Sequence, residues 1–273
     1  MKITLLDGPM GTELIAQGHP CPEPAWSAMP LLEAPEAVEK VHRAYAQAGA
    51  KVLTTNTFRT RANTAGERWA EMAERAVDLA RKVTTPTMRV AGSIAPLEDC
   101  YRPDLSPRNP GPQHAQLAEV LAHKGVDILL CETFPHIPEA LAAVQAAIDT
   151  STETWVSFTA GPDGTLLRPD DIRVGAKQAV DMGAAAILVN CIPASQTHVF
   201  LDAISDLGVP FGAYANAGHP DEGMGWSSNP EGAKRYADHA ERWIQMGASL
   251  IGSCCGTGPQ HIRQLHERFC RDG

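Results

Sequence analysis

The chain of 273 residues has no long apolar run, no cluster of Lys and Arg, and no cysteine pattern of the disulfide-framework kind. Its longest apolar stretches are of strand length. Its start, MKITLLDGPMGTEL, carries one lysine and only a very short apolar run before Asp7. That pattern predicts neither a signal peptide nor a membrane span. The formal net charge is −9 with no basic patch, which argues against nucleic acid as a partner. The seven cysteines (Cys21, Cys100, Cys131, Cys191, Cys254, Cys255 and Cys270) are scattered and odd in number. They are expected to be reduced thiols of a cytoplasmic protein. What is present is ordinary globular composition, 44% hydrophobic, at a length that can bury a large core.

Short β-rich apolar runs alternate with longer helical patterns. The runs fall at 3–8, 52–58, 89–94, 127–134, 155–160, 186–192, 210–217 and 249–256. Most are apolar on both faces, as strands covered on both sides should be. The helical patterns fall at 34–49, 64–83, 112–124, 136–149, 170–182, 195–206, 230–246 and 258–270. A Gly-Ala or Gly-Val pair recurs after a helix, as at Gly49-Ala50 and Gly183-Ala184, which reads as a C-terminal glycine stop feeding the next strand. Eight strand–helix units in one series predict a single (β/α)8 barrel domain over 1–273, with an open doubly wound sheet as the alternative. Two long loops, 99–112 and 216–230, follow strands and so belong to the face where barrels carry their ligand sites.

The predicted strand ends are polar where the strands behind them are apolar: Asp7-Gly8, Thr55-Asn56-Thr57, Gly92-Ser93, Glu132-Thr133, Ser157 and Thr159, Asn190-Cys191, Asn216 and Cys254-Cys255. Cys191 ends one strand and Cys254-Cys255 another, two strands on. A barrel brings such ends together, and three thiolates at one mouth make a soft-ligand site suited to zinc with a fourth position open. Gly252 and Gly256 flank the pair and permit the bend that adjacent ligands require. A redox dithiol competes with this reading, although such pairs usually sit at a helix N-terminus with two residues between them. Cys100, Cys131 and Cys270 read as inert buried thiols.

The ordered motifs DGPMGTEL (7–14), TTNTFR (54–59), AGSIAP (91–96), DILLCETF (127–134), VNCIP (189–193), ANAG (215–218) and IGSCCGTGPQHI (251–262) resemble those of the homocysteine S-methyltransferase family over nearly the whole chain. The resemblance implies a (β/α)8 barrel with Zn2+ held by Cys191, Cys254 and Cys255. It implies homocysteine lying against Asp7 and Gly8, its amino group at Glu132 and its carboxylate helped by Thr55. Two departures stand out. Ser253 replaces a glycine common in the family, and Arg168-Pro169 replaces a Ser-Gly turn, which bears on the local loop and on donor choice.

This chemistry explains the residue types. A free thiol is mostly protonated at pH 7 and needs a cation to ionise, and three thiolates around Zn2+ leave the acceptor sulfur electron-rich. The methyl group is expected from a small onium donor, S-methylmethionine or S-adenosylmethionine ahead of a betaine, because the chain has no room for separate folate or cobalamin modules. Trp26 and Trp226 are candidate aromatic contacts for such a cation. Two alternatives are a zinc- or thiol-binding subunit that needs a partner to supply the methyl group, and a methyltransferase acting on a selenol or another thiol.

Overall fold

Eight parallel strands follow one another around a barrel in the computed structural model, which describes residues 2–226 and 230–270. They are β1 (Thr4–Leu5), β2 (Val52–Thr54), β3 (Arg89–Ile94), β4 (Ile128–Phe134), β5 (Thr154–Phe158), β6 (Ala186–Pro193), β7 (Phe211–Asn216) and β8 (Leu250–Ser253). Each pairs with its sequence neighbour, and β1 pairs with β8. A bridge from Leu6 to Val52, with Asp7 N–H donating to Val52 O at 3.0 Å, closes β1 onto β2. The alternative of an open sheet is therefore set aside: one barrel carries the whole series. No helix among the described residues is long and apolar enough to cross a membrane.

The period-2 pattern of the strands sorts their side chains into two cores. Leu5, Leu53, Val90, Leu129, Val156, Ile187 and Ile251 point outward and pack with the helices. Leu6, Val52, Ile128, Leu130, Trp155, Leu188 and Leu250 point inward and fill the lower barrel. The main covering helices are Pro35–Ala48, Trp69–Arg81, Gly111–His123, Ile137–Asp149, Pro169–Met182, Thr197–Asp202, Pro230–Gln245 and Pro259–Phe269. Proline in the first turn opens many of them, where its missing N–H costs nothing. Gly49 and Gly183, at φ 111° and 115°, stop two of them in the left-handed conformation that glycine adopts without strain.

Three sequence expectations differ in extent. The pattern at 64–83 is split, with Ala62–Ala65 and Trp69–Arg81 separated at Gly66, whose φ is 71°. Strand β2 stops at Thr54, because Thr55–Thr57 turns over the mouth: Thr57 N–H donates to Thr55 O at 2.8 Å. Strand β8 stops at Ser253, because Thr257 N–H and its hydroxyl both return to Cys254 O, at 3.2 and 2.7 Å. The loop after β1 holds elements that the sequence pattern does not announce, helices Met10–Ala16 and Pro30–Glu33 and a 3₁₀ turn Trp26–Ala28. Of the predicted loop at 216–230, residues 227–229 lie outside the described residues.

Candidate active site

The alternation that buries Leu130 continues one step to Glu132, that of Leu188 to Asn190, and that of Val52 to Thr54. The inward side chains thus change from apolar to polar at the C-terminal end of the barrel. There they line a cavity of about 770 Å³. Asp7, Gly8, Thr55, Glu132, Cys191, Cys254 and Cys255 all line it.

Glu132 is buried on this floor. Ser93 Oγ donates to its Oε1 at 2.5 Å and Tyr214 OH to its Oε2 at 3.1 Å. Asp7 accepts from Thr54 N–H at 2.7 Å and from the Thr54 hydroxyl at 2.9 Å. Gly8 has no room for a side chain, since a Cβ there would lie 2.7 Å from the Tyr45 ring. Burial lifts Asp7 to about 8, against the Thr54 bonds and with added repulsion from Glu132. Burial also raises Glu132, against its bonds from Ser93 and Tyr214. Neither acid forms an ion pair among the described residues. Two desolvated carboxyls facing one cavity, with no cation paired to either among the described residues, are suited to a ligand ammonium.

Thr55 lies at the cavity with its hydroxyl already engaged. Ser93 N–H donates to Thr55 Oγ1 at 3.1 Å, and Thr55 Oγ1 lies 2.8 Å from Thr57 Oγ1, whose own proton goes to Ser93 O. A carboxylate would have to take the Thr55 proton from Thr57. Two other hydroxyls are better placed to bond a ligand, and sequence reasoning did not single them out for it. Thr12 and Ser253 line the cavity, and their buried hydroxyl oxygens have no partner among the described residues. Nothing in their motifs signals this, because the orphaning depends on packing.

Simple alternation would turn Cys191 outward, since Asn190 points in. Instead Cys191 takes φ 50° and the β6–β7 register shifts between Asn190 and Pro193. Thr133 does the same at the end of β4, with φ 62° and a shift between Cys131 and Phe134. Non-glycine residues rarely adopt this conformation and do so where surroundings compel them. Asn190 is the strap: its Oδ1 accepts from Thr133 N–H at 3.1 Å and Ser157 Oγ at 2.7 Å, and its Nδ2 donates to Thr133 Oγ1 at 2.7 Å. Asn216 Nδ2 donates to Cys191 O at 3.0 Å. On the far side, Cys254 N–H donates to Ala215 O at 2.8 Å and Ala217 N–H to Cys255 O at 3.0 Å.

The result is three sulfur atoms within 4.8 Å of one another. Cys255 Sγ lies 4.0 Å from both Cys191 Sγ and Cys254 Sγ, while those two are joined as a disulfide with Cα atoms 5.7 Å apart. The disulfide differs from the expectation of reduced thiols, and its reason is proximity: the same convergence that suits a metal places two thiols in bonding reach. Burial pushes the Cys255 thiol up to about 11, so without a cation it stays protonated at neutral pH. Four Zn–S bonds of about 2.3 Å imply a tetrahedron with edges of about 3.8 Å. The two 4.0 Å separations match that edge, and reduction of the Cys191–Cys254 bond frees the other two sulfurs. The donor set therefore fits a soft divalent ion.

Cys131 is buried in the outer core, in line with an inert role. Cys100, expected to be equally inert, instead lines the cavity. Both tryptophans line it too: Trp26, and Trp226, whose indole Nε1 donates to Gly218 O at 2.7 Å beside Gly256. Arg168 and Pro169 do not themselves line the cavity: Pro169 opens a helix and Arg168 pairs with Asp171 at 3.2 Å, while Pro162 of the same loop does line it.

A barrel with convergent thiols and buried carboxyls at its C-terminal mouth defines an enzyme that handles a thiol-bearing amine. The sequence profile of the family described as homocysteine S-methyltransferase matches residues 4–269. The chain belongs to that family, a class of methyltransferases. It is 33% identical to the homocysteine S-methyltransferase of Escherichia coli (strain K12), over 97% of this chain and 95% of that one. It is 29% identical to the S-methylmethionine–homocysteine S-methyltransferase BHMT2 of Pongo abelii, over 89% of this chain and 72% of that one. The metallated form of the homocysteine methyltransferase MmuM from Escherichia coli superposes with a TM-score of 0.80 at 27% identity, covering 98% of this chain and 96% of that one.

Proposed function

We propose that this protein, acting as a single domain over 1–273, transfers a methyl group from a small sulfonium donor, S-methylmethionine foremost, to L-homocysteine and so forms methionine. The observation that carries this reading is the gathering of the Cys191, Cys254 and Cys255 sulfurs on the floor of a cavity that also holds Glu132. The metal is zinc, held by those three cysteines in their reduced state. A reduced trio implies a reducing compartment, the cytoplasm.

Bound zinc supplies the positive charge that lets the homocysteine thiol release its proton to solvent near neutral pH. Glu132 and Asp7 take the α-ammonium. Gly8 leaves the backbone free for close approach, and Thr55 with the orphan hydroxyls of Thr12 and Ser253 serves the α-carboxylate and its neighbours. Ser93 and Tyr214 hold the Glu132 carboxylate in one orientation. Trp26 and Trp226 offer ring faces to the onium charge. A lone pair of the homocysteine sulfur forms the new S–CH3 bond as the donor's S–CH3 bond breaks in line. The breaking pair stays on the donor sulfur, which leaves as a neutral thioether. No general base acts on the methyl group. Catalysis is alignment in a largely dry site.

Cys255→Ala provides the test. The variant is expected to lose stoichiometric zinc and methionine formation by at least a thousandfold, read by metal analysis and mass spectrometry of the products with each candidate donor. Normal zinc content and a normal rate would refute the assignment. Zinc bound by the parent protein with no methionine from any donor would favour a thiol-binding subunit that relies on a partner.

A further inference from the structure

The floor of the cavity is acidic and sulfurous, and a single cation joins further acidic groups around it. The charged residues lining it are Asp7, Glu23, Arg59, Glu98, Asp99 and Glu132, and Arg59 is the one cation among the described residues. Arg59 is nine-tenths buried, with 9% of its surface exposed. Its guanidinium makes one hydrogen bond, from Nη1 to the Glu98 backbone oxygen at 2.9 Å, and forms no ion pair among the described residues. A guanidinium has five N–H donors, so most of its capacity is unspent. Glu98 is half-buried, and its carboxylate likewise has no ion pair and accepts no hydrogen bond among the described residues. A cation and an anion thus stand side by side at the cavity without neutralising each other.

Their height separates them from the acceptor's groups. Glu132 lies within β4, on the floor. Arg59 lies five residues beyond the end of β2, and Glu98 four beyond the end of β3, both on the loops above it. In-line transfer requires the donor on the outward side of the acceptor sulfur, with its leaving thioether directed toward the rim. The rim is also braced. Leu97 N–H donates to buried Glu139 Oε1 at 2.8 Å, and Arg61 Nη2 donates to Leu97 O at 2.7 Å. A braced pair of opposite charges, with Arg59 buried and Glu98 half-buried, is suited to the adjacent carboxylate and ammonium of an α-amino acid.

Building on the methyl-transfer reading above, we infer that Arg59 and Glu98 are the specificity residues of the donor: Arg59 binds its α-carboxylate, Glu98 binds its α-ammonium, and the donor is a sulfonium amino acid. The cavity then holds two amino acids, one above the other, each read by its own charged groups.

The experiment compares S-methylmethionine with trimethylsulfonium, which has the same reacting centre and no amino-acid head, at varied homocysteine. Glu98→Gln and Arg59→Gln are each expected to raise the KM for S-methylmethionine at least tenfold. The preference for S-methylmethionine over trimethylsulfonium, as kcat/KM, is expected to fall at least tenfold, with the KM for homocysteine changed less than threefold. A rise in the homocysteine KM instead would show that the pair reads the acceptor, and an unchanged preference would show that it reads neither; both overturn the inference. If Arg59→Gln disturbs the loop it supports, Glu98→Gln, which keeps the backbone acceptor, carries the test. Absence of methionine from the parent protein with every donor would sink the methyl-transfer reading itself and this inference with it.

Discussion

The lower and upper halves of the barrel interior are made by the same faces of the same strands, yet they do opposite things. Below, Leu6, Ile128, Leu130, Leu188 and Leu250 make a dry plug. One inward step above, Ser93, Glu132, Asn190 and Asn216 are buried and Thr54 half-buried, and each of these polar groups carries a hydrogen bond within the protein. The plug gains stability from burial, whereas the upper layer gives up some of it by desolvating two acids. The difference teaches that a residue's height along a strand, more than its type of burial, sets its task.

The contrast can be broken at each level. Leu130→Ala, in the plug directly below Glu132, should cost the most: about 3 kcal/mol of stability from lost transfer energy and a residual cavity. Denaturant unfolding measures this, and the folded fraction should keep its homocysteine KM within threefold. A collapse in affinity without loss of stability would mean that the two layers are not separable.

Glu132→Gln inverts that expectation. Removing one charge-assisted contact should lower kcat/KM for homocysteine by about 2 kcal/mol, roughly thirtyfold, with little loss of stability. Its pH dependence has a definite sign. Burial raises the Glu132 pKa, so the range of pH in which an incoming ammonium must displace a proton from this carboxyl moves upward. Affinity should therefore rise as pH increases through that pKa. Methionine, which has the ammonium but no thiol to titrate, reports this by calorimetry between pH 5 and 8. The slope should shrink in Glu132→Gln, with Asp7 supplying what remains. An equal slope in both proteins would assign the proton elsewhere.

The plug and the order of the strands were legible because alternation and glycine stops are local signals. The floor was legible as polar strand ends, and Cys191, Cys254 and Cys255 as a group through the soft-ligand chemistry they share. Their convergence was not readable from alternation, which turns Cys191 the wrong way; it depends on a left-handed residue and on Asn190 bridging three strands. Equally hidden were the supports of Glu132 from Ser93 and Tyr214, 39 and 82 residues away along the chain. The helices after β1 were missed because short segments held by tertiary contacts carry little periodicity. The two hydroxyls without partners could not be found in a sequence at all, since only packing shows what a group lacks.

Ser253 offers the mildest and sharpest probe of the border between the two layers. Its backbone N–H donates to Asp7 O at 3.1 Å, and its hydroxyl is buried at the cavity without a partner among the described residues. An unbonded buried hydroxyl costs about 1–3 kcal/mol, and a glycine in its place costs about 0.5–1 kcal/mol in chain entropy. Ser253→Gly should therefore leave the empty protein as stable as the parent or more stable by about 1 kcal/mol. If the hydroxyl finds its partner in the bound acceptor, the same change should raise the homocysteine KM by about 1 kcal/mol, roughly fivefold. Stability and affinity then move in opposite directions from the loss of one oxygen, as expected of a group kept for a ligand. An unchanged KM alongside a gain in stability would make Ser253 a packing defect of the plug's upper edge and shift the acceptor toward Thr12 and Thr55.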